Sequence, residues 1–288
     1  MPLVPLLFVA IWATGFVAAR LIAPHAEPMT FLALRFAIAA AALTLLAALM
    51  RAPWPRTARD LGNAAWIGLL LQGLYLGGVF WAVQHGLPAG VTALVVSTQP
   101  LLMSLVASPL LGEAVTSRQR AGIAIGLVGT ALVLGPKLGG ASGYPVPALL
   151  ASLGSLLAIT LATVWQKRAG GRLDPRTGTA IQFAASALLM LALALATETM
   201  RIDPAPAFWI GLAWSVLGLS IGAIFLLLLM IRRGAVVAVS AWLFLVPPAS
   251  ALMSYAAFGE TLSAPQIAGM AIAAAGVALA TRARPSRD

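Results

Sequence analysis

Apolar residues fill this chain in long blocks, and polar residues appear mainly as short punctuation between them. Runs dominated by Leu, Ala, Val, Ile and Phe lie near 3–23, 28–50, 61–83, 88–111, 117–135, 147–167, 176–197, 208–230, 234–257 and 264–281. A helix needs roughly 20 mostly apolar residues to cross the hydrocarbon core of a bilayer. The runs are at or near that length, so the pattern predicts an all-α membrane protein of ten transmembrane helices joined by short loops. No basic residue precedes the first run and Arg20 ends it, so it reads as a retained helix and not as a cleaved leader.

Composition agrees. With 61% hydrophobic and 9% charged residues, a soluble globule of 288 residues would lack the polar surface it needs. Cysteine is absent, which removes disulfides and thiolate chemistry, and His25 and His85 are the only imidazoles, so neither a metal site nor a cofactor is expected. The acidic residues fall at run ends, in loops or in the tail, which leaves no buried catalytic pair: the chain does not read as an enzyme. An ion channel would show a polar pore-lining pattern or charged rings, and neither is present.

The net charge of +10 would suggest nucleic acid in a soluble protein, but here the positions of the basic residues matter more than their sum. Arg51, Arg56 and Arg59 follow the second run, Arg118 and Arg120 the fourth, and Lys167, Arg168, Arg172 and Arg176 the sixth. Arg232 and Arg233 follow the eighth, and Arg282, Arg284 and Arg287 form the tail. Each cluster follows an even-numbered run, so the positive-inside rule places both termini in the cytoplasm. The expected partners are the lipid bilayer and a small-molecule substrate, with no nucleic acid; a monomer is compatible with the sequence.

The chain also repeats itself. "LLGEAVTSRQRAG" at 110–122 is echoed by "AFGETLSAPQIAG" at 257–269, an offset of 147 residues. The same offset pairs Pro100 with Pro247, Gln119 with Gln266, Gly129 with Gly276, Pro28 with Pro175 and Phe36 with Phe183. The chain therefore reads as a tandem duplication, residues 1–140 and 141–288, with five helices in each half. Because five is odd, the second half must enter the membrane from the opposite side. Inverted repeats of this kind support outward- and inward-open states related by a pseudo-twofold axis, the architecture of a secondary transporter.

"WATGFVAAR" in the first run, "LLGEAVTSRQRAGIAIGLVGTALV" and its echo "FGETLSAPQIAGMAIAAAGVALA" resemble the EamA family of the drug/metabolite transporter superfamily across essentially the whole chain. The resemblance implies a bacterial inner-membrane exporter of small metabolites, often amino acids. Within the family the chain is similar to aromatic amino-acid exporters of the YddG type, although no motif marks that subgroup.

The repeated phrase has a physical reading of its own. Thr116-x-x-Gln119 and Ser263-x-x-Gln266 read as capping boxes, and Gly112 and Gly259 suit the left-handed end of the preceding helix. Gly122, Gly126 and Gly129, with Gly269, Ala273 and Gly276, make small-residue faces for close helix contact. Glu113 and Glu260 then sit at helix ends near water.

Pro100, Pro247 and Pro248 lie near the middle of predicted membrane helices and are expected to break or hinge them, freeing carbonyls near Val96 and Leu243. Polar and aromatic residues at similar depth are candidates to line a central substrate cavity: Trp12, Thr14, Gln72, Tyr75, Ser97, Gln99 and Trp242. For each of them a helix-to-helix contact is the competing explanation. Trp54, Trp66, Trp81, Trp165 and Trp209 are expected in the interfacial belts. Arg35 falls inside the second run, where it is expected to snorkel or to pair with Glu27; binding a substrate carboxylate is the alternative. A weakly polar, aromatic-bearing cavity suits a zwitterion with an apolar side chain. Efflux of lipophilic cations or drugs, or downhill facilitation of other metabolites, is the alternative function.

Overall fold

The computed structural model of the protein describes residues 3–99, 102–103, 117–134, 143–169, 174–223, 226, 246–259 and 263–281. They form ten helical segments: α1 (Leu3–Ile22), α2 (Pro28–Leu49), α3 (Ala58–Gln84), α4 (Ala89–Ser97), α5 (Ser117–Leu134), α6 (Val146–Ala169), α7 (Pro175–Thr197), α8 (Pro206–Gly222), α9 (Val246–Phe258) and α10 (Ala264–Thr281). Each overlaps one of the ten apolar runs. Four spans, Pro28–Leu49, Ala58–Gln84, Val146–Gln166 and Pro175–Thr197, are by themselves long and apolar enough to cross a membrane. Among the described residues there is no β-strand; one antiparallel bridge joins Ala26 and Ile202 between the α1–α2 and α7–α8 loops.

The helix starts follow local chemistry. Pro28, Pro175 and Pro206 each stand in the first turn, where a missing amide costs nothing and a fixed φ favours the helix. Asp174 caps α7 by accepting from the Arg176 amide at 2.9 Å, and the Arg176 guanidinium beside it holds its carboxyl below the usual carboxylate range. Thr57 caps α3 by accepting from the Asp60 amide at 3.1 Å. No such side chain precedes α2. Its first amides are satisfied from far along the chain: Glu198, just past α7, accepts from the amides of Met29 and Thr30, each at 2.8 Å.

The packing is inverted relative to a soluble bundle. Leucines such as Leu45, Leu49, Leu188 and Leu252 are exposed, as hydrocarbon contact allows, while small residues including Ala13, Ala39, Ala82, Ala148 and Ala194 are fully buried between helices. Lipid tails are as apolar as leucine, so helices associate through close van der Waals contact, which small side chains permit. Among the described residues the two most extensive pairings are α2 along α7 and α5 along α10, and α4 also meets α9.

At the α5–α10 crossing the small-residue faces read from the sequence meet each other. A Cβ built on Gly129 would stand 2.6 Å from the Gly269 carbonyl oxygen, and one on Gly276 would stand 2.7 Å from that of Gly122. Backbone thus touches backbone, and only glycine fits at either position. Gly259 after α9 has φ of +67°, the left-handed end expected of it. The Ser263-x-x-Gln266 box is half formed. Gln266 Oε1 accepts from the Ser263 amide at 2.9 Å, as a capping box requires, but the Ser263 hydroxyl donates to the same oxygen at 3.0 Å and does not accept from the Gln266 amide. Gln266 turns its own amide inward to the Tyr144 hydroxyl at 2.6 Å, which draws the box away from the simple pattern. Gly112, Glu113, Thr116 and Glu260 lie outside the described residues.

Candidate functional site

Among the described residues two helices depart from α geometry, α3 at mid-span and α8 in its last eight residues. Leu69–Leu74 in α3 and Ser215–Gly222 in α8 form π turns, with the Tyr75 amide bonding the Leu70 carbonyl and the Ala223 amide the Gly218 carbonyl. A π turn inserts residues into the helical register and re-aims the side chains around it, and such turns recur at functional sites. The α3 turn presses on α7: a Cβ on Gly68 would stand 2.8 Å from the Gln182 carbonyl carbon, and the Ser186 hydroxyl lies 2.8 Å from the Gly68 carbonyl and 2.7 Å from that of Gln182. The α8 turn presents Ser220 to α2.

Facing Ser220 is Arg35. It is 4% exposed, the one charged side chain among the described residues that is buried. Its Nε and Nη2 each donate to Ser220 Oγ at 3.4 Å, and its guanidinium carbon stands 5.7 Å from the centre of the Phe36 ring. Tyr75 on α3, also buried, is within electrostatic reach of it. This overturns the expectation that Arg35 snorkels outward or pairs with Glu27. Glu27 is about 12 Å away along the helix axis, and it is already engaged with the Thr199 hydroxyl at 3.0 Å and the Arg201 amide at 2.8 Å. The Arg201 amide, with Thr199, holds the Glu27 carboxyl below its ordinary value.

The remaining candidates are distributed around the same core. Trp12 is half-buried, stacked at a tilt on Phe8 with ring centres 5.5 Å apart, and packs on the hydrophobic cluster that contains Tyr75. Thr14 donates to the Ile11 carbonyl and accepts from Trp214 Nε1 at 2.8 Å, so it ties α1 to α8. Gln72 is half-buried within the α3 π turn. Ser97 donates to the Leu94 carbonyl at 2.8 Å, and Gln99 reaches Thr163 on α6 at 3.3 Å. α4 closes at Ser97, where the Thr98 amide bonds three residues back to Val95 at 3.2 Å. Pro247 and Pro248 lie in α9; Pro100 and Trp242 lie outside the described residues.

Trp54, Trp66, Trp165 and Trp209 are exposed; Trp81 is half-buried and stacks on His85 with ring centres 3.7 Å apart. Among the described residues no group of His, Asp and Glu could hold a metal ion. What sequence reasoning missed is the trans-capping Glu198 and the Arg35–Ser220 contact. A charge inside an apolar run was the available signal for the second, but its partner lies 185 residues away.

Helices apolar on their outer faces, small residues between them, and polar side chains committed to helix-to-helix contacts define a polytopic α-helical membrane protein. The sequence model of the EamA-like transporter family matches residues 2–135 and again 146–282. The chain belongs to that family, and it is a membrane transporter. It is 30% identical to the uncharacterized inner membrane transporter YedA of Escherichia coli K12 over 253 residues, 88% of this chain and 81% of that one. It is 28% identical to a probable terminal-alkyne amino-acid exporter of Streptantibioticus cattleyicolor over 96% of this chain and 91% of that one. It is 26% identical to a probable amino-acid metabolite efflux pump of Escherichia coli K12 over 56% and 49%. A solved crystal structure shares the fold with a TM-score of 0.67 at 24% identity, covering 96% of this chain and 95% of the other.

Proposed function

We propose that this protein exports small metabolites across the bacterial inner membrane by alternating access, and that its substrates are amino acids with apolar or aromatic side chains, as in aromatic amino-acid exporters of the YddG type. The transport cycle exchanges two inverted five-helix repeats, residues 1–140 and 141–288, spanning the membrane ten times with both termini in the cytoplasm. Substrate occupies the space between the repeats near Trp12, Gln72, Tyr75, Ser97, Gln99 and Trp242, with Thr14 bracing α1 against α8. Helices four and nine hinge about Pro100, Pro247 and Pro248.

The observation that carries this reading is the exchange of helix contacts under the 147-residue shift. It turns α3 against α6 into α8 against α1, α3 against α7 into α8 against α2, and α1 against α9 into α6 against α4, and all of these contacts are present. It also maps the π turn at Leu69–Leu74 onto 216–221, inside the π turn at Ser215–Gly222. Paired irregularities at corresponding places in two inverted halves are where transporters of this architecture bind and pivot. Relatives that are named amino-acid exporters or efflux pumps support the direction and the substrate class.

The test is uptake of labelled Phe, Trp, Leu, Thr and Lys into proteoliposomes, with and without preloaded unlabelled amino acid. Saturable uptake of Phe or Trp, stimulated by counterflow and absent for Lys, is the expected result. Folded, inserted protein that carries no amino acid refutes the substrate class and directs the assay to lipophilic cations and other metabolites.

A further inference from the structure

Burying a lone guanidinium away from water is costly unless its charge and its N–H groups are met. Arg35 meets that requirement poorly. Two bonds at 3.4 Å end on one hydroxyl, which itself donates to the Ser215 carbonyl at 3.1 Å, and a guanidinium carries more donors than these occupy. The Phe36 ring at 5.7 Å offsets part of the charge but accepts no strong hydrogen bond.

Among the described residues no carboxylate relieves it. The described acids are committed at helix ends and loops: Glu27 to Thr199 and Arg201, Asp60 to Thr57, Asp174 to Arg176, Glu198 to Met29 and Thr30, and Asp203 to His25. On α3, the buried Tyr75 is within electrostatic reach of the cation, and its hydroxyl has no hydrogen-bond partner among the described residues. The place is therefore a buried positive charge with spare donors, a buried tyrosine hydroxyl within electrostatic reach, and a hydrogen-bond partner supplied by the α8 π turn.

We propose that Arg35 is the anion anchor of the transport site, holding the carboxylate of the substrate by paired hydrogen bonds, with Ser220 occupying its donors when substrate is absent. This rests on the transporter reading but not on the identity of the side chain carried. It defines the substrate class as carboxylate-bearing, which separates it from lipophilic cations. A planar fork matches a carboxylate in a way that a lysine ammonium does not.

The test uses the full-length protein in detergent and compares acids with their amides: phenylalanine, N-acetylphenylalanine and octanoate against phenylalaninamide, N-acetylphenylalaninamide and octanamide. A ligand that binds the folded state raises the midpoint of thermal unfolding. Wild type is expected to be stabilised by one or more acids and not by the matching amides, and Arg35→Gln to lose about 10- to 100-fold in acid affinity, the range for a hydrogen bond to a charged group. If Arg35→Gln does not fold, Arg35→Lys is measured, with a loss of about tenfold expected.

Equal stabilisation by acid and amide, no stabilisation by any acid, or wild-type acid affinity in a folded Arg35 variant overturns the proposal. Acid binding through Arg35 without amino-acid counterflow leaves the anchor standing and removes the amino-acid reading. Counterflow with unchanged acid preference in Arg35→Gln does the reverse.

Discussion

Replacing Gly276 by alanine adds a single methyl group at the α5–α10 crossing, and its neighbours cannot rotate away. The new Cβ would stand 2.7 Å from the Gly126 Cα and 2.7 Å from the Gly122 carbonyl oxygen, both backbone atoms. Restoring ordinary contact near 3.5–4.0 Å requires the helices to part by about 1 Å, which forfeits a quarter to a half of the attraction at each contact along the seam. The expected loss is about 1–3 kcal/mol, the usual cost of overpacking, with a fall of several degrees in the thermal midpoint.

Gly129→Ala meets the same obstacle from the other helix, 2.8 Å from the Ala273 Cα, and is expected to cost a similar amount. The double variant should cost less than the sum, because helices already parted accommodate the second methyl. The assay is thermal unfolding of the full-length protein in detergent, followed by fluorescence-detected size exclusion. Gly62→Ala is the control: Gly62 is also helical, but nothing lies within 4 Å of its added Cβ, so better helix propensity should leave stability unchanged or raised by up to about 1 kcal/mol. If Gly276→Ala melts at or above the control, the backbone contact is not what limits this crossing.

Gln266→Ala removes the hydrogen bonds to the buried Tyr144 hydroxyl and to the Ser263 amide and is expected to cost about 1–3 kcal/mol; Tyr144→Phe, which removes only the first, should cost less in the same unfolding assay. In the α1–α2 loop the folded-state pKa of Glu27 lies below its ordinary 4.5, so its contribution is complete above that value and is lost as pH falls through the lower folded value. Wild type should therefore lose more stability than Glu27→Gln on titration from pH 6 to pH 3, and parallel curves would refute the assignment.

The fold was largely legible because a membrane span is written in contiguous residues. Gly259 marked a left-handed helix end, and Gly122, Gly129 and Gly276 a contact face, each through stereochemistry that acts within a few residues or through the absence of a side chain. The site was legible only as a set of polar residues at similar depth. Thr14 and Gln99 were candidates for substrate contact, and in the structure their hydrogen bonds go to Trp214 and Thr163.

The sequence by itself determined that the chain lives in a bilayer, roughly where its apolar helices lie, and that its two halves share one pattern. Only the tertiary structure decided that Arg35 turns inward to Ser220, that Glu198 caps a helix begun 170 residues earlier, and that α3 and α8 widen into π turns. The reason is physical: a helix that is apolar all round has no polar stripe to set its rotation. Which face meets which neighbour then depends on small residues that let backbones touch and on hydrogen bonds between distant segments, and neither is a property of any one stretch of chain.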